Sequence, residues 1–307
     1  MKIDLCICTY RRSHIADTLR SVARSKIPAE VALRVIVIDN DDAPSAQARV
    51  AEVAKETRLK IAYRQLPGSN ISIARNGGLD AATGDWIAFL DDDELVESDW
   101  LKALIACVKA TGVDAAFGHM RALYGPDAPQ WMVNGDFHSQ FAAHHGDVVE
   151  TGHTCNALLR WGDVPWRHER FALERGRSGG EDTEFFFRLR ALGARYAIAD
   201  NAIVHEEVPA ARQDLNWLLK RRFRIGQSYS AVATEPGALA KLLVVAAIKS
   251  AYCHLQALAA WPWMTRRAFW LLRGRMHAGV CAGCLRFRQR DLYGDGIVAA
   301  PVQVPPK

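Results

Sequence analysis

The apolar run Trp86-Ile87-Ala88-Phe89-Leu90 leads directly into four acidic residues, Asp91-Asp92-Asp93-Glu94. Neighbouring carboxylates repel one another, and folding gains nothing from that repulsion unless a cation joins them. Mg²⁺ and Mn²⁺ prefer carboxylate oxygens and leave coordination positions open for phosphate. The alternative is a solvated loop or a helix start, where acidic residues are also favourable. Because the acids follow an apolar run of strand length, the stretch predicts a buried strand that ends at a metal site.

Similar apolar runs lie on either side of this stretch and alternate with helical patterns. The strand-like runs lie at 3–9, 33–38, 60–65 and 115–123, and the helical patterns at 14–25, 46–57, 71–82, 97–110 and 182–192. Strands that alternate with helices predict βαβ units, an α/β fold class and a mostly parallel sheet. The strands lack polar alternation, so we expect helices to cover both faces of the sheet.

The composition is that of a folded protein with an uneven charge distribution. Of the 307 residues, 50% are hydrophobic and 24% are charged, which excludes a disordered or low-complexity chain. Residues 212–290 hold 14 Lys and Arg against 2 Asp and Glu, whereas the remaining residues hold 25 against 32. The seven cysteines are scattered, which suits a reducing compartment. A single soluble domain is not expected to be acidic in its N-terminal part and strongly basic in its C-terminal part.

This change in composition predicts a domain boundary near residue 210. We expect an α/β domain over 1–210 and a basic amphipathic helical region over 211–298, with long helical patterns at 211–231 and 238–258 and a basic, aromatic segment at 264–290. The most apolar stretch of that region contains Lys241, Lys249 and His254, which argues against a clean membrane span. The proline-bearing segment 299–307 is predicted to be a flexible tail.

Three strand ends carry groups that can meet. The first predicted strand ends in Thr9-Tyr10-Arg11-Arg12, the second ends in Asp39, and the fourth ends in the acids at 91–94. Ligands of open parallel sheets bind outside the carboxyl ends of the strands. We therefore expect these groups to converge on one crevice.

Phe89-Leu90-Asp91-Asp92-Asp93 is similar to the DxD signature of GT-A glycosyltransferases, in particular glycosyltransferase family 2. The resemblance covers about residues 3–205. Its other motifs occur in the family's order: Thr9-Tyr10-Arg11-Arg12, Val37-Ile38-Asp39-Asn40, 73–78 with 82–85, and Gly180-Glu181-Asp182. The first motif has Arg11 where the family has Asn. The resemblance implies a GT-A fold, which is a Rossmann-like mixed sheet flanked by helices, and transfer from a nucleotide-sugar donor with inversion at the anomeric carbon.

The resemblance also implies a Mg²⁺ or Mn²⁺ cofactor. Asp93 would ligate the metal directly, and His205, which follows an apolar run, would complete the metal site. Asp91 would contact the ribose or the water shell of the metal, and Asp92 would orient the turn. For His205, a surface or packing histidine is the alternative.

The donor, usually a UDP-sugar, would be bound by the strand ends and by one arginine. Asp39 would accept a hydrogen bond from uracil, and Arg75 would face Asp39 or the pyrophosphate. Thr9, Tyr10 and Arg11 would hold the nucleotide. Taken alone, Arg75 is as readily explained by a surface ion pair of little energetic value.

A carboxylate within reach of the acceptor hydroxyl is the natural general base. Asp182, at a helix start after Gly179-Gly180, is the predicted base, and Glu181 is predicted to bind the acceptor or support the loop. Asn156 is predicted to face the acceptor. The alternative for Glu181 and Asp182 is helix capping.

Further stretches resemble the succinoglycan-type exopolysaccharide β-1,4-glucosyltransferases of bacteria, namely 69–76, 135–139, 151–160, 178–183 and 220–227. This resemblance implies transfer of glucose from UDP-glucose to a lipid-diphosphate-linked oligosaccharide. Such an acceptor would require a peripheral enzyme at the cytoplasmic face of the inner membrane.

The basic stretches 220–224 and 266–270 interleave cations with aromatic residues. A solvated helix face, nucleic-acid binding and binding to an anionic membrane surface compete as explanations. We favour the membrane and expect no nucleic-acid partner, because a nucleotide-sugar site already accounts for the acidic part of the chain.

Two other functions remain open at this point. A sugar nucleotidyltransferase can use a similar sheet, but it needs a glycine-rich phosphate loop after the first strand, and Thr9-Tyr10-Arg11-Arg12 has no glycine. A non-catalytic nucleotide-sugar-binding protein of the same fold would be favoured by loss of the acidic cluster or of the base, and both are present.

Overall fold

A computed structural model of the chain describes residues 1–142, 148–230 and 236–287. The strands in these ranges are β1 (Lys2–Thr9), β2 (Ala32–Asp39), β3 (Ile61–Gln65), β4 (Trp86–Asp91), β5 (Glu94–Val96), β6 (Ala115–Leu123), β7 (Asn156–Arg160) and β8 (Tyr196–Glu207). The helices are α1 (Ile15–Arg24), α2 (Gln47–Glu56), α3 (Ile71–Ala81), α4 (Trp100–Thr111), α5 (Gln130–Gly135), α6 (Glu181–Ala191), α7 (Leu215–Ser230), α8 (Pro236–Ala259) and α9 (Met264–Cys284).

All eight strands form one mixed sheet in the order β3-β2-β1-β4-β7-β6-β8-β5. The first four in that order are parallel, as the alternation of strands and helices predicts. The other half departs from the prediction of a mostly parallel sheet, because β7 inserts antiparallel between β4 and β6. β7 lies in the middle of the chain, where the sequence shows neither a clear helical period nor a clear strand period.

Helices cover both faces of the sheet, as the apolar strands predict. On one face, Leu19 of α1, Val53 of α2 and Leu104 of α4 are fully buried against the strands. On the other face, Leu79 of α3 and Phe185 of α6 are fully buried. The sheet therefore lies between two apolar layers, which leaves its strand ends as the edge open to ligands.

A short strand lies within the segment expected to be a loop or helix start. β5 pairs antiparallel with the end of β8, which also pairs with β6 along its length. This pairing curls the sheet around the residues that follow β4, and α4 begins three residues later than the predicted helix at 97. Acidic residues are depleted in strands, so the sequence pattern did not indicate β5.

The helical region packs as a layer against the catalytic domain. Leu218 of α7, Ala268 and Leu272 of α9 form one buried cluster with Met132 and Phe137 of the α5 segment. The two long helical patterns predicted for this region correspond to α7, which begins at Leu215, and α8, and the basic, aromatic segment contains a third helix, α9. The predicted tail at 299–307 and the end of the 211–298 region lie outside the described residues.

Candidate active site

The carboxyl ends of β2, β1 and β4 lie side by side at one edge of the sheet. Thr9 at the end of β1 pairs with Asp39 of β2, and Cys8 pairs with Asp91 of β4. Because the three strands are parallel, the residues that follow them leave the sheet at the same edge. The predicted convergence of the three strand ends is confirmed.

Asp92 is buried beneath the turn formed by the acidic residues. Its Oδ2 accepts a hydrogen bond from Thr9 Oγ1 at 2.6 Å, and its backbone carbonyl accepts one from Thr18 Oγ1 at 3.0 Å. Burial raises the pKa of Asp92 to about 7. Thr9 and Asp92 thus fix the turn that presents its two acidic neighbours, which is the orienting position expected of a middle acid.

Arg12 is the cation set against this turn. Its Nη1 forms an ion pair with Asp93 Oδ2 and lies 3.4 Å from Asp92 Oδ1. Arg12 is not among the site residues predicted from the sequence. The signal that could have identified it is its position three residues after Thr9, on the segment that leaves β1 at the edge bearing the acids.

Arg75 of α3 connects the acidic turn to the beginning of α6. Its buried guanidinium forms an ion pair with Glu181 Oε1, and its Nη2 lies 3.5 Å from Asp91 Oδ1. Of the two partners predicted for Arg75, Asp39 is wrong, because its carboxylate partners are Glu181 and Asp91, while the pyrophosphate stays a prediction. Burial raises the pKa of Glu181 while Arg75 lowers it. The arginine is therefore what keeps this buried carboxylate compatible with its charged form.

Two glycines place the beginning of α6. Gly179 and Gly180 have φ angles of +86° and +84°, a left-handed region that strongly favours glycine. A Cβ built on Gly180 would come within 2.5 Å of Ser228 Oγ on α7. The loop before α6 is therefore packed directly against the helical region, with no room for a side chain.

Asp182 lies in the first turn of α6 with one carboxylate oxygen held and the other directed at a histidine. Its Oδ1 accepts a hydrogen bond from the Thr183 backbone N–H at 2.7 Å, and its Oδ2 lies 3.9 Å from His153 Nδ1. Gly180 occupies the N-cap position and has no side chain to cap the helix. Asp182 Oδ1 instead accepts the Thr183 backbone N–H of the first turn, so the capping alternative is met in part.

His205 and Glu206 are neighbours on β8, so their side chains point to opposite faces of the strand. His205 Nε2 lies 2.9 Å from Glu97 Oε1, on the face of the strand opposite to Glu206. Glu206 accepts a hydrogen bond from Arg212 Nη1 at 2.6 Å, and burial followed by the Asp93 charge raises its pKa. The prediction that His205 completes a metal site is therefore wrong. Glu206 is the residue of β8 that faces the acidic turn.

Asp39 orders the loop that follows β2. Its carboxylate is fully buried, and Oδ2 accepts hydrogen bonds from Tyr63 Oη at 2.7 Å and from the Ala46 backbone N–H at 2.8 Å. A carboxylate with no exposed surface and two close donors of its own chain is not available to a nucleobase. The structure corrects the predicted contact between Asp39 and uracil.

Asn156 ties strands together in the core. Its Nδ2 donates to the carbonyls of His119 and Ala202 at 3.0 and 2.9 Å, and its Oδ1 accepts from Trp100 Nε1 at 2.7 Å. Both amide hydrogens are used and the side chain is buried. The prediction that Asn156 binds an acceptor is therefore wrong, because its hydrogen bonds join β7 to β6, β8 and α4.

Tyr10 and Arg11 line the segment that leaves β1. Tyr10 Oη accepts a hydrogen bond from Ser69 Oγ at 3.0 Å, and Arg11 Nε forms an ion pair with Asp41 Oδ1 at 2.9 Å. The Arg11 guanidinium carbon lies 4.9 Å from the centroid of the Tyr10 ring. Arg11 has a φ of +55°, a conformation that Asn tolerates better than most residues, which gives a physical reason for Asn at this position in the resembling family.

The acidic turn carries the oxygen donors that a hard divalent cation prefers. Glu94 Oε1 is buried without a hydrogen-bond partner among the described residues, and burial raises the pKa of both Asp91 and Glu94. Within those same residues, no group of three or more His, Cys, Asp or Glu side chains is arranged to hold a metal ion. Mg²⁺ is commonly bound by one or two carboxylates plus phosphate oxygens, so a partial donor set of Asp93 and Asp91 suits it.

Comparison with known proteins identifies the family of the chain. Residues 4–164 match the model of the family described as Glycosyl transferase family 2. Over 297 residues the chain is 45% identical to the succinoglycan biosynthesis protein ExoM of Rhizobium meliloti (strain 1021), and the match covers 96% of each chain.

Two solved structures share the fold. A mannosyltransferase from Pyrobaculum calidifontis, in complex with GDP-Man and Mn²⁺, matches with a TM-score of 0.62 and 16% identity over 93% of this chain and 88% of that one. S. aureus TarS 1-349, in complex with UDP-GlcNAc, matches with a TM-score of 0.53 and 15% identity over 89% of this chain and 90% of that one. Together with the family model and the relative from Rhizobium, these matches show that the chain belongs to glycosyltransferase family 2 and is a glycosyltransferase of the GT-A fold.

Proposed function

We propose that the protein transfers glucose from UDP-glucose to a lipid-diphosphate-linked oligosaccharide, with inversion at the anomeric carbon, in the synthesis of a succinoglycan-type exopolysaccharide. The succinoglycan role is supported by the name of the relative that is 45% identical to this chain. A nucleotide-sugar donor is supported by the fold neighbours, whose complexes contain UDP-GlcNAc and GDP-Man.

One observation carries the proposal more than any other. Arg75 is paired with Glu181 and lies 3.5 Å from Asp91, so the beginning of α6 and the acidic turn are held together by one side chain. Asp182 directly follows Glu181 in the chain. The proposed base and the proposed donor site therefore border the same crevice.

The acceptor hydroxyl must lose a proton as its oxygen attacks the anomeric carbon. In the proposed reaction Asp182 Oδ2 takes that proton, the new bond forms between the acceptor oxygen and the anomeric carbon, and the bond to the nucleoside diphosphate breaks with its electron pair. Asp182 Oδ1 is held by the Thr183 backbone N–H, which orients the carboxylate. His153 Nδ1, 3.9 Å from Oδ2, limits the directions from which the hydroxyl can approach.

The diphosphate of the donor would lie between the acidic turn and two arginines. Asp93 and Asp91 would hold a Mg²⁺ or Mn²⁺ ion, which supplies positive charge to the diphosphate leaving group when it is bound. Arg12, paired with Asp93, and Arg75, beside Asp91, would contribute cationic groups at the same place. Tyr10 and Arg11 would contact the nucleoside, and Thr9 would act through Asp92 by fixing the turn.

A lipid-linked acceptor places the enzyme at the cytoplasmic face of the inner membrane as a peripheral protein. The basic composition of residues 212–290 supports contact with anionic lipid. Glu181, although buried and paired with Arg75, would support the acceptor side of the crevice through its position next to the base.

Asp182→Asn tests the assignment of the base. The amide keeps the shape of the side chain but cannot take a proton, so we expect transfer to fall by about 10²- to 10⁴-fold. Binding of UDP in the presence of Mn²⁺, measured by titration calorimetry, should remain near that of the unchanged protein.

Asp80→Asn is the matched control, because Asp80 is exposed and pairs with Arg170 far from the base. Unchanged turnover in Asp182→Asn would remove Asp182 as base. A panel of nucleotide sugars tested in the same assay would identify the donor, and failure of every UDP-sugar would overturn the donor assignment.

A further inference from the structure

Helix α8 packs with its small residues inward and its large apolar residues outward. The buried positions that face neighbouring helices are Ala246, Cys253 and Ala257. The outward stripe, which we call the α8 face, consists of Val244, Ile248, Tyr252, Leu255 and Leu258. Ile248 is 65% exposed and Leu255 is 64% exposed. A surface helix of a water-soluble protein normally shows the reverse arrangement, so the α8 face calls for an apolar partner.

The apolar surface continues into the turn between α8 and α9. Trp261 is 61% exposed, Trp263 is similarly exposed, and Phe269 follows in the first turns of α9. The guanidinium carbon of Arg267 lies 3.7 Å from the Trp261 ring centroid. Tryptophan rings beside cationic groups are favoured at the boundary between lipid headgroups and acyl chains.

The charge around this surface has one sign. Residues 236–287 contain no Asp or Glu, and their basic residues are Lys241, Lys249, Arg266, Arg267, Arg273, Arg275 and Arg286. A protein partner with a matching apolar patch would usually find both charge signs at the rim. An uninterrupted positive rim around an apolar stripe is complementary to an anionic bilayer surface.

The other basic stretch, 220–224, makes contacts within the protein. In the segment 220–224, Arg222 Nη2 donates to the Phe137 carbonyl at 3.2 Å, and the Arg221 guanidinium carbon lies 5.3 Å from the Trp217 ring centroid. Arg222 joins α7 to the segment that follows α5, whereas Arg221 lies against a side chain of α7 itself. The sequence-based expectation that 220–224 docks on the membrane is therefore replaced by the α8 face and the start of α9.

The packing of α8 decides between crossing the membrane and lying along it. By length and composition alone, Gly237–Ala259 could cross a membrane, with a mean hydropathy of 1.5 over its apolar window. However, α8 lies along α9: Ser250 Oγ donates to the Gly274 carbonyl at 3.1 Å. Arg273 and Arg275, on either side of Gly274, are both exposed. A crossing pair would carry these two arginines into the hydrocarbon, which is costly.

We propose that the α8 face, with Trp261, Trp263 and Phe269, inserts into one leaflet of an anionic membrane while α8 lies parallel to the bilayer plane. The basic residues of α8 and of the start of α9 contact the lipid headgroups. The proposal rests on the proposed function in one respect, the reason for membrane binding, which is to bring the crevice to a lipid-linked acceptor. Membrane binding itself needs neither donor nor acceptor.

Flotation of the full chain with preformed vesicles tests the proposal. The vesicles are phosphatidylcholine alone, or phosphatidylcholine with phosphatidylglycerol. We expect binding to the anionic vesicles, and at least about tenfold weaker binding for the double variant Leu255→Ser/Leu258→Ser, because two leucines lose their apolar contact. Arg266→Gln/Arg267→Gln should weaken the preference for anionic vesicles and reduce the sensitivity of binding to salt, because two of the seven basic residues are removed.

Leu123→Ser/Leu192→Ser is the matched control, since both leucines are exposed on the catalytic domain. The control should bind as the unchanged protein does. No flotation of the unchanged protein, or equal flotation of the two leucine double variants, would overturn the proposal. A dimer in solution that Leu255→Ser/Leu258→Ser dissociates would assign the α8 face to a second copy of the chain instead.

Extraction distinguishes the two orientations of α8. A protein lying in one leaflet should leave bacterial membranes in alkaline carbonate, whereas retention there would indicate a spanning helix and overturn the in-plane arrangement. UDP binding of Leu255→Ser/Leu258→Ser should equal that of the unchanged protein. If the unchanged protein floats with vesicles but binds no nucleotide, the proposed function fails while the membrane surface stands.

Discussion

At the residue scale, the site consists of carboxylates that two arginines hold in place, and of these pairs only that of Arg75 with Glu181 has both partners buried. Arg12 faces Asp93, and Arg75 spans from Glu181 to Asp91. Removing a partner from a buried ion pair leaves an uncompensated charge, which is more costly than the pair is favourable. The two arginines are thus required by the same carboxylates that make the crevice suitable for a cation and a diphosphate.

Arg75→Met should therefore destabilise the protein by about 3–5 kcal/mol, because Glu181 would remain buried without its cation. Urea unfolding measures the change in the free energy of unfolding. Lys109→Met removes the cation of the exposed pair with Glu30 and should cost no more than about 1 kcal/mol. Equal effects of the two substitutions would show that the ion pair of Arg75 and Glu181 stabilises the protein no more than an exposed pair does.

The sequence indicates those residues whose position follows from the strand or helix next to them. It fails for residues whose role depends on the direction in which the side chain points. Asp91 and Asp182 are placed by the strand end and the helix start next to them, and the charges of both act on Arg75. Asp39, Asn156 and His205 look equally suitable in the sequence. Whether a polar side chain contacts a ligand or the protein's own backbone depends on the face of the strand on which it lies and on hydrogen-bond donors from segments distant in the sequence. Neither can be read from a single sequence.

At the element scale, parallel strands and their helices follow from periodicity, whereas the second half of the sheet does not. The segments for β1 to β4 are continuous apolar runs with helices between them. β5 is three residues long and acidic, and β7 follows an irregular segment, so neither has a usable period. These two strands convert the expected mostly parallel sheet into a mixed one and curl it around the acidic turn.

The junction between the catalytic domain and α7 should be sensitive to acid. His138 is buried there, its Nε2 lies 3.0 Å from the Arg212 carbonyl, and its ring stacks on Trp217. Burial lowers the pKa of His138 to about 4. An unfolded histidine titrates near 6.5, so the unfolded chain binds the proton first as the pH falls. The stabilising contribution is complete above pH 6.5 and is lost as the pH falls towards 4.

We expect the free energy of unfolding to fall over this range by up to about 1.4 kcal/mol per pH unit from this one group. His138→Gln, which cannot take up the proton, should flatten the dependence on pH between 6.5 and 4.5 in urea unfolding. His14→Gln, at an exposed position, is the control and should keep the original slope. The same slope in both variants would show that acid acts elsewhere in the molecule.

At the scale of the whole molecule, the uneven charge corresponds to two surfaces joined by α7. The acidic part of the chain contributes the carboxylates of the crevice, and the basic part forms the layer that bears the α8 face. α7 contacts both, because Ser228 lies against Gly180 and the Phe223 carbonyl lies against Gly279 of α9. Membrane binding of the helical region would thereby fix the orientation of the loop before α6, the helix that bears the proposed base.

The catalytic domain and the helical region should consequently unfold as one unit, although the sequence predicts a boundary near residue 210. Leu218 of α7 is fully buried with Met132 and Phe137 of the α5 segment, so the junction is part of a shared apolar cluster. Leu218→Ala should cost about 2–5 kcal/mol and lower the midpoint of a single calorimetric transition. Leu192→Ala, at an exposed position, should leave that midpoint nearly unchanged. Two separate transitions, only one of them shifted by Leu218→Ala, would mean that the helical region folds independently and that α7 does not couple the membrane surface to the active site.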